Sequence, residues 1–246
     1  MKQIILAAVC VLLCAHSALA QAAPATRAFV IVNGGYQVTK NDFTNGATKR
    51  ENAEDGRFDV KYVVKGGPAL DVSGGMVLFG RLGIGAGVSR FSVATPGAVT
   101  ASIPHPFFFN KPRNVSGELT GLTREEWAVH VQLRAIIPAG ARFQAMVFGG
   151  PTFFTVKQGV VTDITFTESY PYDVATYRAA TTAAGSASKM GFNAGGDLAF
   201  FFTRQLGLGA TVQFAGTTVK MPAAGGGEQD IKAGGLNVGG GLRLRF

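Results

Sequence analysis

Beyond its first twenty residues this 246-residue chain has no cysteine, since Cys10 and Cys14 both fall in an N-terminal stretch that reads as a removable leader. The remainder therefore excludes disulfides, thiolate metal sites and a cysteine nucleophile. Histidine is almost as scarce: past the leader only His105 and His130 are present, and no cluster of metal-ligand type surrounds either. Charged residues make up only 15% of the chain, where roughly 25% is usual for a soluble domain. Nor does any stretch after the leader approach the ~20 consecutive apolar residues of a membrane-crossing helix. What is abundant is apolar surface without such a run: 47% hydrophobic residues, with 34 glycines and 19 phenylalanines. Strands that turn one face to lipid would have this composition.

The leader has the three parts of a secretory signal. Lys2 supplies the positive start, Ile4–Ala15 the apolar stretch, and Ala18 and Ala20 the small residues that signal peptidase reads. Cleavage is expected before Gln21, leaving 21–246 as one exported domain. The apolar stretch is too short to serve as an anchor. A lipoprotein would need a small residue before its cysteine, whereas Cys10 follows Val9 and Cys14 follows Leu13. Of the net charge of +8, only Lys2 belongs to the leader. The surplus suits anionic lipid headgroups and lipopolysaccharide phosphates. An exported chain with scattered basic residues is not a nucleic-acid binder.

Eight segments alternate with the period of two that marks a strand with unlike faces, near Arg27–Thr39, Pro68–Phe79, Leu82–Ala94, Glu126–Ile137, Arg142–Lys157, Lys189–Phe202, Gln205–Val219 and Gly234–Phe246. In the fourth, Trp127, Val129, Val131 and Leu133 oppose Glu126, Ala128, His130, Gln132 and Arg134. Short connections (Gly80–Arg81, Pro138–Ala141, Thr203–Arg204) alternate strictly with long ones (Lys40–Gly67, Thr95–Glu125, Gln158–Ser188, Lys220–Ala233). The pattern predicts an all-β, antiparallel, up-and-down transmembrane barrel of eight strands, its termini on the periplasmic side. Arg57–Val64 and Val160–Phe166 also alternate, which leaves ten strands as the alternative. Pro151 lacks an N–H and is expected at a bulge or near the outer rim. The third strand loses phase near Arg90, where a bulge is expected.

The final residues, Gly-Gly-Leu-Asn-Val-Gly-Gly-Gly-Leu-Arg-Leu-Arg-Phe, resemble the terminal signal of outer-membrane barrels, with Leu242, Leu244 and Phe246 as its alternating apolar ladder. Gly191–Ala210 resembles the penultimate hairpin of the small bacterial outer-membrane β-barrel superfamily, which includes OmpA/OmpX-like and OmpW-like barrels. Phe148-Gly149-Gly150-Pro151 resembles a mid-barrel stretch of the same group. The resemblance implies a bacterial outer-membrane location and insertion by the barrel-assembly machinery, which would grip the last strand by β-augmentation.

On the predicted strands Asp71, Glu126, His130, Arg134, Arg142, Lys189, Asp197, Arg243 and Arg245 face inward. An eight-stranded interior is filled mainly by side chains, so these groups are expected to pair and plug the lumen. A narrow, porin-like passage for small or hydrophobic solutes is the alternative, with Arg142, Arg243 and Arg245 forming a basic inner mouth. A third possibility comes from barrels of similar architecture that modify lipid A using His with Ser or acidic partners. No nucleophile lies near His130 in sequence, so no catalytic residue is assigned, and no cofactor or metal is expected. The run Ile103–Phe109, with Phe107, Phe108 and Phe109, lies in a long connection. It is expected at the membrane interface, with folding over the mouth or binding of a hydrophobic ligand or host surface as the alternatives. The function expected overall is a non-enzymatic structural or surface-interaction barrel.

Overall fold

The computed structural model describes residues 27–225 and 227–246. The signal segment, with the cleavage residues Ala18 and Ala20, lies outside the described residues. Twelve strands succeed one another: β1 (Ala28–Gln37), β2 (Phe43–Glu51), β3 (Glu54–Tyr62), β4 (Gly67–Phe79), β5 (Leu82–Ala94), β6 (Gly97–Ile103), β7 (Arg113–Leu119), β8 (Thr123–Pro138), β9 (Phe143–Glu168), β10 (Ala175–Phe201), β11 (Leu206–Pro222) and β12 (Glu228–Arg245). Eight close into an antiparallel barrel in the order β1-β12-β11-β10-β9-β8-β5-β4. The remaining four form a separate sheet in the order β2-β3-β6-β7.

The eight alternating segments of the sequence are the eight barrel strands. The alternative of ten is overturned: most of Arg57–Val64 lies in β3 of the separate sheet, and Val160–Phe166 is the continuation of β9. The seam is closed by β1 against β12, with Val30 opposite Leu244 and Val32 opposite Leu242. Beyond it, the Phe246 N–H donates to the Ala28 carbonyl at 2.9 Å.

Period-two alternation sorts the side chains with the usual polarity inverted. Val32, Val72, Met76, Val131, Leu133, Leu198, Leu208 and Val238 are exposed on the outside, while Asn33, His130, Gln132, Asn193, Asp197 and Arg243 are buried inside. Only an acyl-chain environment makes such an exterior favourable, and closure leaves no unpaired sheet edge facing it. Glycines on the inner face make room for long neighbours. A Cβ on Gly85 would stand 2.6 Å from Arg134 Nε, and one on Gly209 would stand 2.7 Å from Arg243 Nε.

Two local expectations are corrected. The inside–outside phase of β5 does not break: Arg90 faces outward and Phe91 inward, and both neighbouring ladders run through them without a shift. Arg90 is tolerated outside because it bonds Glu125 at 2.9 Å and lies over the Trp127 ring, at the upper border of the apolar belt. Pro151 sits mid-strand, at neither a bulge nor the rim. The β8–β9 ladder lapses between His130↔Thr152 and Leu133↔Gly149 and resumes in the same register. The missing N–H is absorbed by a gap.

The long connections at the end away from the termini are not irregular loops. β9 and β10 hold 26 and 27 residues, against the ~9–11 that cross a bilayer. Their outer halves rise as a hairpin, and β2-β3-β6-β7 packs on it. Phe58, Val60, Tyr62, Val99, Ile103 and Val115 of that sheet form one core with Val161 and Ile164 of β9. The barrel therefore carries a folded platform with a hydrophobic core of its own.

Candidate functional site

Two regions gather the functional side chains: the lumen and the tip of the platform. The lumen is filled in levels. Nearest the termini, Arg245 donates to the carbonyls of Arg204 (2.9 Å) and Ala141 (3.3 Å), and its guanidinium lies 3.8 Å from the centre of the Phe201 ring. One level up, Arg243 pairs with Asp197 and donates to Asn33 Oδ1 (2.7 Å) and Thr211 Oγ1 (2.8 Å). Asn33 Nδ2 reaches Asp71 Oδ1 at 3.4 Å, so Asp71 joins the edge of this network. Alongside, Arg134 forms no ion pair among the described residues. Its guanidinium is held between the rings of Phe29 and Phe148, at 4.9 and 5.3 Å, and donates to Gln132 Oε1 at 2.5 Å.

His130 has the partners that local sequence could not show. Its Nε2 is 2.9 Å from Ser89 Oγ on β5, and its Nδ1 is 2.9 Å from Thr152 Oγ1 on β9, which in turn accepts from Asn193 Nδ2 at 2.8 Å. A hydroxyl and an imidazole in contact are the start of a nucleophile–base pair. The third member here is a hydroxyl, which does not supply the negative charge that would stabilise an imidazolium. His130 is also only 1% exposed, with its face turned away from lipid. The chain Ser89–His130–Thr152–Asn193–Gln132 thus satisfies buried polar atoms across four strands.

At the upper end of the lumen a second ion pair is buried: Arg124 Nε to Glu126 Oε1 at 2.6 Å. Arg124 carries no inward mark in sequence, because it precedes the clear alternation of β8. The two side chains take over a backbone edge. Strand β1 ends at Gln37, so β12 above Leu236 has lost its neighbour on that side. There Glu126 Oε2 accepts from Gly234 N (2.7 Å), Asn41 and Gln37 donate to Gly234 O (2.8 and 3.3 Å), and Arg124 Nη2 donates to Lys232 O (2.5 Å). Gly234 is at φ +78°, and a Cβ there would meet the Ala215 carbonyl oxygen at 2.1 Å, so glycine is required.

Not all the expected lumen residues are inside. Arg142 precedes β9 and is exposed in the turn, so it contributes no lumen charge. Lys189 keeps the inward register of β10 but is exposed. Arg243 and Arg245 are both buried in contacts, so neither presents a free charge at the inner mouth. Between the middle and upper networks lies a cavity of about 40 Å³, lined in part by Asn33, Asp71, Glu126 and Gln213. It has room for a few waters at most.

The tip is built from the β6–β7 and β9–β10 turns. Arg113, itself buried, joins them: it donates to Glu168 Oε2 (2.5 Å) and the Tyr172 carbonyl (3.0 Å) of one turn and to the Pro104 carbonyl (2.8 Å) of the other. His105 Nδ1 accepts from the amides of Phe107 and Phe108, at 3.1 and 3.3 Å. Lys111 bonds Asp173 at 2.7 Å and holds that carboxyl below the usual carboxylate range. On this frame Phe107, Phe108 and Phe109 are 68, 57 and 71% exposed, and Tyr170 is 85% exposed. Phe107 and Tyr172 lie edge to face at 5.4 Å.

This position corrects the interfacial expectation for Phe107–Phe109. Trp127, opposite Thr155 of β9, marks the upper border of the apolar belt. From Thr155 to Glu168 β9 runs on for roughly 40 Å at ~3.3 Å per residue. With the ~40° tilt of barrel strands the tip stands about 30 Å above the belt.

No family model and no curated protein sequence matches the chain. Solved structures of similar fold include Neisserial surface protein A (NspA), 8% identical with a TM-score of 0.41, and Ail, the attachment invasion locus protein of Yersinia pestis, 10% identical with a TM-score of 0.38. Each comparison covers 89% of this chain and 99% of the other. A second Ail structure, in complex with the heparin analogue sucrose octasulfate, is 10% identical with a TM-score of 0.35.

Proposed function

We propose that this chain is a non-enzymatic outer-membrane barrel that passes no solute and serves as a rigid mount for a surface-exposed recognition platform. Its termini lie in the periplasm, its signal segment is removed before Gln21, and the barrel-assembly machinery engages β12 through Leu242, Leu244 and Phe246. Leu242 and Phe246 face outward on the closing strand, as a lipid-side ladder requires. The observation that carries the reading is the joint exposure of Phe107, Phe108, Phe109 and Tyr170 on a frame locked by Arg113, above a lumen filled by paired side chains. A contiguous exposed aromatic patch marks an interaction site, and rigid aromatics lose little entropy on binding. The partner is an external macromolecule, such as a host surface component.

Three measurements test this. In planar bilayers the refolded protein should show no discrete conductance steps; reproducible steps would overturn the filled-lumen reading. Cells displaying the protein should lose surface adhesion when Phe107, Phe108 and Phe109 are replaced by serine, with barrel levels unchanged. Adhesion equal to that of the parent would remove the tip from the function. Lipid A should have the same mass with and without expression, and a mass change abolished by His130→Ala would establish an enzyme instead.

A further inference from the structure

The β6–β7 and β9–β10 connections meet at an apex where Phe107, Phe108, Phe109, Tyr170 and Val174 are each more than half exposed. Side chains that project this far form a convex surface and line no groove. Much of the backbone polarity beneath them is absent or spent inward. Pro104, Pro106, Pro112 and Pro171 have no N–H to offer. The amides of Phe107 and Phe108 donate to His105 Nδ1 (3.1 and 3.3 Å), that of Asn110 to Glu54 Oε1 (2.9 Å), and that of Tyr172 to the Ser169 carbonyl (2.7 Å). The Pro104 and Tyr172 carbonyls accept from the buried Arg113, at 2.8 and 3.0 Å. Charge is cancelled in the same way. Arg113 pairs with Glu168, and Lys111 pairs with Asp173 while its ammonium lies 5.2 Å from the centre of the Phe108 ring.

A protein partner offers pockets for single aromatic anchors and polar groups around them. The apex instead presents a row of apolar side chains over amides already bonded and cations already paired. That is the chemistry of a segment entering the boundary between headgroups and acyl chains, where aromatic rings are favoured and an unsatisfied N–H is costly. We infer that the apex inserts Phe107, Phe108, Phe109 and Tyr170 into the surface of an opposed phospholipid bilayer. The barrel's own membrane is out of reach, because the apex stands roughly 30 Å above the apolar belt. With Lys111 and Arg113 neutralised, zwitterionic headgroups suffice. This rests on the recognition platform proposed above and specifies its external partner as lipid.

The experiment holds the full mature chain in nanodiscs, mixes them with separate phosphatidylcholine vesicles and follows flotation. Wild-type nanodiscs should rise with the vesicles, and empty ones should not. F107S/F108S/F109S should weaken binding at least roughly ten-fold, since three phenyl groups lose their burial. F107W/F108W/F109W should bind at least as well as the parent, because a bilayer has no shaped pocket to violate. Heat-modifiable migration on gels shows that both variants are folded. In Phe108→Trp, brominated phosphatidylcholine in the vesicles should quench emission beyond any quenching of Trp127 in the parent. Absent wild-type flotation, unchanged flotation of the serine variant, or its loss in the tryptophan variant would each overturn insertion. So would binding confined to vesicles with anionic lipid, which would indicate attraction by charge. If vesicles are ignored while the serine variant still loses cell adhesion, insertion falls, the platform stands, and its partner is a protein or glycan. If adhesion is unchanged while the serine variant loses vesicle binding, insertion stands and the adhesive reading falls.

Discussion

The amide of Gly234 on β12 donates to Glu126 Oε2 on β8, 2.7 Å away, at the level where β1 has already left the wall. A carboxylate from across the lumen thus stands in for the carbonyl of an absent strand. Its other oxygen is held by Arg124, whose guanidinium also takes the Lys232 carbonyl of the same edge.

Glu126→Ala should therefore be among the most damaging lumen substitutions. It leaves Arg124 buried without its counter-charge and orphans Gly234 N–H, a loss of about 3–5 kcal/mol. Glu126→Gln should cost less, since an amide oxygen still accepts from Gly234. Urea titration in detergent, followed by the fluorescence of the single tryptophan, Trp127, measures both. Equal midpoints for wild type and Glu126→Ala would contradict the assignment.

The Arg243–Asp197 pair makes a prediction of opposite sign for its double variant. Either Asp197→Ala or Arg243→Ala strands a buried charge and should cost about 3–5 kcal/mol, whereas Asp197→Leu with Arg243→Met should recover much of the loss. A double-mutant cycle on urea midpoints measures the coupling. Additive losses would mean that the two groups do not act as a pair.

In the platform, the Tyr62 hydroxyl accepts from Val161 N at 2.7 Å, and burial raises the phenol above the ordinary tyrosine range, with the Val161 bond acting weakly the other way. The folded phenol keeps its proton where the unfolded one has lost it. Its contribution is whole below about pH 10 and is lost as pH rises through the raised value. The platform should loosen under alkali while the belt persists, and Tyr62→Phe should remove that dependence. The same change orphans Val161 N–H, at a cost of about 1–3 kcal/mol. Hydrogen exchange at Val161 reads both effects; an unchanged exchange rate in Tyr62→Phe would argue against them.

Deleting Phe246 removes the last rung of the seam: its N–H to the Ala28 carbonyl and its carbonyl to the Arg27 amide. It also removes the outermost member of the apolar ladder. Surface levels should fall several-fold, scored by heat-modifiable barrel in envelope fractions. Parental levels without Phe246 would show that the ladder is not read at that position.

The barrel was legible because alternation is local, and a strand between lipid and a polar lumen must alternate. Alternation marks all eight spans, yet in β9 and β10 it reaches only Lys157 and Lys189, where the lipid-facing apolar signal stops and the strands do not. The platform was harder. β3 announces itself through Phe58, Val60, Tyr62 and Val64, but β2 lacks an apolar alternation, β6 and β7 are short, and their core forms only when four connections meet. Arg90 looked like a lost phase because an outward arginine is readable only beside Glu125 and Trp127. Where alternation is clear, as at Asp197 and Arg243, the charged side chain is buried on the inner face. Arg142 keeps the inward phase but lies one residue before β9, in the turn, and Arg124 precedes the clear alternation of β8. Ser89 beside His130 depends on the β5–β8 register, which no single strand encodes.

Because β9 and β10 run from inside the membrane to the aromatic tip, an outward tug on the tip acts along the strands. Their bonds to β8 and β11 are then loaded in parallel, in shear, and must fail many at once before the hairpin slides. Anything gripped by Phe107 or Tyr172 is thus tethered to the whole cylinder, and the attachment itself should give way before the mount does.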